Sequence, residues 1–516
     1  MKAHFYKYFL ILAALFLIGA CSDDELNKTP IGRFASEDYL TTDEEAMSAI
    51  IGVYDYLSVA YNNYADWSSL FFAKLLPGDD VNAGGGSSAD QPKLQSLNTL
   101  THEYDNPALG DVWLALYRIV SSSNGIINNI GENVTIRDQV IAEAKFFRAY
   151  AYFELVTMFG AVPHYTVNPT TNAESHIART PVADVYRAIE QDLSEAAAVL
   201  PLKSQLPAGQ KFRIAKGTAQ SLLGKALLYQ GKYGPAHQML QTVISSGEYA
   251  LESDFGTIWL KQGRAGSETI FEVLYTSKNS HDWGGPWDGT AESNFMIQLM
   301  GPRGDDSFVN LEAIGYTNGW GFNVPTGKFG QLLYNEAGAM RRGASVISEA
   351  DFVAAGGQVN NPSGNNNWAA YQGYIRLKYA TKPTETGPPV PEVNYSTPFK
   401  IIRYADVLLM AAEAYNKDSK DVEAVGLIKL VRERAGFTDH ASWENLTGNA
   451  LFEVIVKERA LELAFEGHRF WDLVRWGRAA QEISGFVTNK HELYPIPKRE
   501  IDLNTAIELE DQNPGF

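Results

Sequence analysis

The sequence predicts a mainly α-helical protein in which a loop-rich lobe interrupts a scaffold of paired helices. Apolar residues recur at helical spacing in 108–131, 136–159, 181–200 and 215–246, and this periodicity is typical of amphipathic helices. Between residues 250 and 398 the long helical periods stop, and glycine, asparagine and proline become frequent. Loops on a rigid scaffold often carry binding residues, so this interval is predicted to be a ligand-binding lobe.

Two segments have the spacing of a tetratricopeptide unit, which is a pair of antiparallel helices joined by a short turn. In 219–243, Gly224 occupies the tight position of the first helix, and Gly231-Lys232-Tyr233 forms the turn. The second unit fits 408–431. One hairpin cannot bury its apolar face alone, so the two units predict a small stack of helix pairs. A further helix is expected from about Thr42.

The N-terminus has the features of a bacterial lipoprotein signal. Lys2 and Lys7 precede an apolar run over 9–20, which is too short to span a bilayer as a helix. Cys21, the only cysteine of the chain, follows directly after Ile-Gly-Ala. This string resembles a lipobox, in which the cysteine is acylated and anchors the protein to a membrane. The alternative is an ordinary signal peptide with an incidental cysteine.

These features predict five parts of the chain. They are a signal peptide over 1–20, a lipidated tether over 21–35, an N-terminal helical region over 36–249, the ligand-binding lobe over 250–398 and a C-terminal helical region over 399–516.

The formal charge of −18 argues against nucleic acid as a partner and disfavours anionic lipid surfaces. A local basic pair such as Arg341-Arg342 could still attract an anionic ligand. A single cysteine excludes an intrachain disulfide and a thiolate metal site. The sequence contains no phosphate-binding loop, nucleophile elbow or dinucleotide fingerprint, so no cofactor is predicted.

Five motifs occur in order along nearly the whole mature chain. They are 143–153 with Phe159-Gly160-Ala161-Val162-Pro163, the hairpin 215–251, 402–410 with 413–416, 458–473, and Tyr494-Pro495-Ile496-Pro497 with the terminal Gln512-Asn513-Pro514-Gly515-Phe516. Together they resemble the SusD/RagB family, surface lipoproteins of Bacteroidetes that capture nutrients, mostly glycans, for a TonB-dependent outer-membrane transporter. The resemblance implies a core of four tetratricopeptide-like helix pairs, an irregular ligand-binding lobe and a seat on a SusC-like transporter. The acidic residues after Cys21 resemble the signal that sends such lipoproteins to the cell surface.

Aromatic side chains in loops are the candidate ligand platforms. A sugar presents C–H groups on one ring face, and a rigid aromatic ring stacks on them with little loss of conformational freedom. The predicted platforms, of which all but the last lie beside Gly, Pro, Asn or Asp, are Trp67, Trp283, Trp287, Trp320, Trp368 and Tyr371. The alternative for each is that it pins its loop to the core. Trp113, Trp471 and Trp476 have helical spacing and are predicted to be core residues.

The predicted hydrogen-bonding partners of the ligand are Asp79, Asp80 and Asn82. In proteins that this chain resembles, the loop at this position often borders the ligand site. The alternative is a plain type I turn with solvated carboxylates.

Glu458, Glu462, Glu466 and His468 form an acidic cluster that invites comparison with a metal site. Metal sites in helical bundles use a Glu and a His three residues apart, whereas His468 lies only two residues after Glu466. Several arginines follow nearby. The cluster is therefore predicted to be a structural ion-pair network, and no metal is predicted.

The sequence as a whole predicts a non-catalytic receptor, anchored in the outer membrane and facing the cell exterior, that delivers an oligosaccharide to the transporter. Three alternatives stay open. They are a peptide-binding receptor of the same family, a helical-repeat scaffold for protein partners, and a surface glycosidase or lyase that uses Asp79/Asp80 or Asp305/Asp306 as acid and base. The helical half is the predicted transporter contact.

Overall fold

The computed structural model describes residues 40–62, 67–278, 292–304, 307–360 and 368–516. Cys21, Trp283 and Trp287 lie outside these ranges, as do Asp305 and Asp306. Within the described ranges, no helix combines the length and the apolar character that a membrane span requires.

Long helices dominate the N-terminal region. They and the shorter elements between them are α1 (Asp43–Tyr61), α2 (Leu70–Leu75), β1 (Val81–Gly84), α3 (Pro92–Asn98), α4 (Pro107–Asn129), α5 (Arg137–Phe159), α6 (Asn172–Ser175), α7 (Val182–Val199), α8 (Lys216–Tyr229) and α9 (Tyr233–Ser245). At the start of α1, the Thr42 hydroxyl accepts a hydrogen bond from Glu45 N, and the Glu45 carboxylate accepts one from Thr42 N. This capping box satisfies backbone donors that a helix start leaves unpaired.

Short elements alone make up the described part of 250–398, which agrees with the predicted loop-rich lobe. They are β2 (Thr269–Val273), α10 (Met296–Met300), β3 (Phe308–Val309), β4 (Phe322–Pro325), α11 (Gly327–Glu336), α12 (Ala339–Ser345), β5 (Val346–Ser348), α13 (Glu349–Ala354), β6 (Gln358–Val359) and β7 (Tyr374–Arg376). The strands form antiparallel pairs, β1 with β4, β3 with β6 and β5 with β7. In the first pair, Val81 lies opposite Pro325 and Gly84 opposite Phe322.

The C-terminal region returns to helices. It contains β8 (Phe399–Arg403), α14 (Tyr404–Lys417), α15 (Asp421–Arg434), α16 (Gly448–Glu462), α17 (Arg469–Arg475), α18 (Ala479–Glu482) and α19 (Lys498–Leu503). The strand β8 pairs antiparallel with β2, so that Thr269 lies opposite Arg403. This pair joins the start of the lobe to the start of the C-terminal helices.

The long helices pack in sequence: α1 on α4, α4 on α5, α5 on α7, α7 on α8, α8 on α9, α9 on α14, and α14 on both α15 and α16. A Cβ atom added at Gly224 would lie 2.5 Å from Leu240 Cδ2, so the hairpin of α8 and α9 needs glycine there. These contacts confirm the predicted tetratricopeptide-like stack, in which the segment 215–246 is two helices.

Two hydrophobic cores among the described residues support this architecture. The larger core runs through the helices and includes Trp113 and Trp471, as predicted. Trp476 is only partly buried, and its indole N–H donates to Glu413 at 3.0 Å. The smaller core lies in the lobe around Phe308, Phe352 and neighbouring rings.

An ion-pair network lies buried where the lobe meets the C-terminal helices. Arg403 Nη1 lies 2.6 Å from Glu268 Oε1 and 2.5 Å from Glu462 Oε1, and its Nε lies 2.8 Å from Glu466 Oε2. Arg434 also pairs with Glu268 and Glu462. Burial alone would raise the pKa of Glu462, but the guanidiniums of Arg434, Arg403 and Arg341 outweigh it and hold this pKa below its usual range. We call this set, with Lys378 and Glu458, the junction network.

The junction network confirms the predicted structural role of Glu458, Glu462 and Glu466 and corrects one expectation. Arg341 is 0% exposed, and its Nη1 lies 3.1 Å from Glu462 Oε2. Arg341 therefore offers no basic surface to an anionic ligand, whereas Arg342 of the same pair is partly exposed. The described residues contain no group of three side chains placed to hold a metal ion.

Candidate functional site

Trp67 and Trp320 come together at the protein surface, although 253 positions of sequence number separate them. Their ring centroids lie 5.2 Å apart, and the ring planes are inclined at 44°. Both side chains are only partly buried. The fully buried ring of Phe295 lies beneath them, with centroids 6.1 Å from Trp67 and 5.3 Å from Trp320. We call these two indoles the Trp67–Trp320 surface.

Hydrogen bonds from neighbouring segments hold the backbone of Trp320 and Gly321. Trp320 N donates to Gln298 O at 2.8 Å, and Gly321 N donates to Gly301 O at 2.9 Å. Arg303 Nη1 donates to Trp320 O at 3.0 Å. Arg303 is partly buried. The sequence does not identify it as a site residue, because a basic residue within a glycine-rich lobe has no local pattern that points to ligand binding.

Trp67 is the first residue of the described range that follows α1. Its φ of +56° is left-handed, which is uncommon for a residue other than glycine. The buried side chain of Asn62 donates to Ser293 O at 2.6 Å and accepts from Met296 N at 3.3 Å. These bonds tie the end of α1 to the segment that carries Phe295, the ring on which both tryptophans pack.

Asp79 and Asp80 lie away from solvent and serve the fold. Asp79 is paired with Arg469 at 2.7 Å and with Lys328 at 3.2 Å. Asp80 is 1% exposed, and one oxygen accepts a hydrogen bond from Phe465 N at 3.1 Å. Burial, and then the charge of Asp79, raise the pKa of Asp80 to about 6. The prediction that Asp80 binds ligand is therefore wrong, and Asp79 is an ion-pair partner of the C-terminal region.

The same placement bears on the glycosidase alternative. An acid–base pair must reach a scissile bond from two sides, and a carboxyl group as deeply buried as Asp80 cannot reach a substrate. The second proposed pair, Asp305 and Asp306, lies outside the described residues.

Trp368 and Tyr371 are interior residues, which corrects the prediction that they are ligand platforms. They are 4% and 5% exposed, and their rings stack with centroids 4.8 Å apart and an interplanar angle of 9°. Phe308 packs edge-on against both rings. The two rings fill the smaller core of the lobe, so their faces are not available to a sugar.

Asn82 lies in β1 and is partly buried. Its amide nitrogen donates to Ala370 O at 3.2 Å. Part of this side chain thus holds the segment after Trp368, and its role in ligand binding remains a prediction.

A separate groove of about 740 Å³ lies on the helical scaffold, between α8, α9, α14 and α15. Polar side chains in its lining include Gln220, Gln238, Gln241 and Thr242. His237 stacks on Tyr415 within it, with ring centroids 4.3 Å apart. The groove therefore differs in chemistry from the Trp67–Trp320 surface.

Comparison with known proteins gives two family models and several relatives of full length. A model described as the SusD family matches residues 311–492, and one described as starch-binding and associating with the outer membrane matches residues 80–228. SusD-like protein P2 of Formosa agariphila is 28% identical over 99% of both chains. A solved laminarin binding SusD-like protein is 30% identical, covers 92% of this chain and 100% of its own, and has a TM-score of 0.79. Surface glycan-binding protein A from Bacteroides fluxus is 25% identical with the same coverage and a TM-score of 0.75.

Proposed function

Because this chain belongs to the SusD/RagB family, we propose that it binds a glycan at the outer-membrane surface without cleaving it. The observation that carries the proposal is the Trp67–Trp320 surface, two partly exposed indoles supported by a buried ring. Large aromatic faces with few rotatable bonds are suited to stacking on the C–H face of a sugar. The solved relative at 30% identity is named for binding laminarin, so laminarin is the first ligand to test.

The angle between the two indoles favours one shape of glycan. Rings inclined at 44° cannot both lie flat on one straight, ribbon-like chain. They suit a chain whose successive sugar rings turn relative to one another. Arg303, whose guanidinium contacts the backbone of Trp320, is the proposed hydrogen-bond donor to the hydroxyl groups, since a guanidinium offers five N–H donors.

We further propose that acylated Cys21 tethers the chain to the outer membrane, facing the exterior, and that a SusC-like TonB-dependent transporter receives the glycan. The family description of outer-membrane association supports this proposal. The groove on the helical scaffold is the proposed transporter contact. Cys21→Ala is expected to release the protein from the membrane fraction, while the released protein still binds the glycan.

The test is calorimetric titration of the purified protein with laminarin, with cello-oligosaccharides as the straight-chain comparison, and with peptides. We expect saturable binding of laminarin, weaker binding of the straight chain and no release of reducing ends over hours. Release of reducing ends would overturn the non-catalytic proposal. Binding of peptides and of no glycan would favour the peptide-receptor alternative.

A further inference from the structure

We propose that Trp368 is a positioning residue. It fixes the backbone at Trp320 and so orders the Trp67–Trp320 surface before a ligand binds. This inference rests on the proposed function, because its ligand-based readout uses the Trp67–Trp320 surface. Trp368 itself is buried and does not contact a ligand on that surface.

The contact that supports this role is a hydrogen bond to the residue after Trp320. Trp368 Nε1 donates to Gly321 O at 2.6 Å, and Gly85 N donates to the same oxygen at 2.8 Å. Ala369 N in turn donates to Gly85 O at 3.0 Å. The segment of Trp368 and Ala369 therefore holds the end of β1 together with the start of β4, which directly follows Trp320 and Gly321.

Close packing around Gly321 leaves no room for a side chain at this position. Its φ is +73°, and an added Cβ would lie 2.5 Å from Trp368 Nε1 and 2.7 Å from Arg303 Cβ. The backbone at Gly321 is thus held between two side chains. One of them, Arg303, also donates to Trp320 O.

The indole of Trp368 is itself immobilised, so its N–H has a fixed direction. Tyr371 stacks on one face, and Phe308 packs edge-on with centroids 4.9 Å apart. Binding to a platform that is already ordered costs less conformational entropy than binding to one that must be ordered. Loss of the N–H should therefore weaken glycan binding by letting Trp320 take more orientations before the ligand arrives.

The first test is a double-mutant cycle with laminarin in the full chain. Trp368→Phe keeps an aromatic ring in the stack but removes the N–H donor together with part of the indole, a loss of volume that the matched control shares. We expect it to lower affinity about five-fold alone and less than about two-fold in a Trp320→Ala background, because residues that act through one another are not additive. Equal losses in both backgrounds would show that Trp368 does not act through Trp320 and would overturn the proposal.

The matched control is Trp471→Phe. Trp471 is as buried as Trp368, at 4% exposed, and its indole N–H has no hydrogen-bond partner among the described residues. We expect this variant to change laminarin affinity less than about two-fold in either background. A loss as large as that of Trp368→Phe would attribute the effect to general destabilisation and overturn the proposal.

The second test needs no ligand. Hydrogen exchange of the amides of Gly85 and Gly321 in the ligand-free chain is expected to be about ten-fold faster in Trp368→Phe and unchanged in Trp471→Phe, since exchange reports local opening. Unchanged exchange in Trp368→Phe would refute the positioning role even if laminarin binds. Absence of glycan binding by the unmodified protein would instead refute the proposed function, while the exchange experiment would still decide the role of Trp368.

Discussion

The junction network and the Trp67–Trp320 surface place side chains in opposite ways. At the junction, guanidiniums and carboxylates are buried together, as in the bonds from Arg403 to Glu462 and Glu466. At the surface, two indoles remain partly exposed. Charged residues are usually outside, and large apolar patches at the surface usually mark interaction sites. Buried charges thus hold the lobe against the C-terminal helices, whereas Trp67 and Trp320 keep part of their surface exposed to solvent.

The largest expected effect comes from breaking the junction network. Glu462→Gln removes the charge that faces Arg341, Arg403 and Arg434. Loss of one partner from a buried ion pair costs about 3–5 kcal/mol, because it leaves uncompensated charge in the interior. Urea unfolding should show this loss in the free energy of unfolding. Asp502→Asn removes an exposed pair with Lys498 and should cost far less, because solvent screens the pair. Similar costs for the two variants would contradict the difference between the buried and the exposed pair.

The buried carboxyl group of Asp80 should make the stability of the protein depend on pH. The pKa of Asp80 is raised to about 6, so the folded state binds this proton more tightly than the unfolded state does. Its stabilising contribution is complete below about pH 3.8 and is lost as the pH rises through about 6. This change is on the order of 3 kcal/mol.

Asp80→Asn is therefore expected to remove this part of the pH dependence. The free energy of unfolding, measured in urea at several values between about pH 4 and about pH 7, should fall less steeply than in the unmodified protein. Asp502→Asn should follow the unmodified protein. Parallel curves for Asp80→Asn and the unmodified protein would show that the buried carboxyl group does not titrate in this range.

Substitutions in the Trp67–Trp320 surface should lower glycan affinity much more than they lower folding stability. Trp320→Ala and Trp67→Ala are each expected to lower laminarin affinity at least about ten-fold, which corresponds to about 1.4 kcal/mol, with a smaller loss of folding stability than Glu462→Gln. Trp476→Ala is the control, since Trp476 is also a partly buried tryptophan but lies on the helical scaffold. If it weakens binding as much as Trp320→Ala, the ligand does not depend on this surface.

The smallest expected effect is that of salt. A neutral glycan on an aromatic platform should change its affinity less than about two-fold between about 50 and about 500 mM NaCl, because screening acts on exposed charges. Calorimetric titration at the two salt concentrations measures this. A large salt dependence would mean that exposed charges, rather than the indoles, dominate recognition.

Much of the scaffold could be predicted because helical periodicity is a local property. The spacing of apolar residues predicted α4, α5 and α7 to within two residues, and Gly224 was correctly placed at the close approach of a hairpin. The motifs that resemble the SusD/RagB family are likewise short and contiguous. The candidate site was only partly predictable: the residue type, tryptophan in a loop, pointed to Trp67 and Trp320 but equally to Trp368.

The difference between these tryptophans is decided by contacts that are distant in sequence. Trp368 is buried because Phe308 and Tyr371 complete a second core around it. Asp79, in the same way, pairs with Arg469 at the other end of the chain. Composition and periodicity determine which segments form helices and which residue types line the loops. Only the tertiary structure decides which ring faces solvent and which carboxylate meets a cation, because burial and ion pairing depend on neighbours that local sequence does not specify.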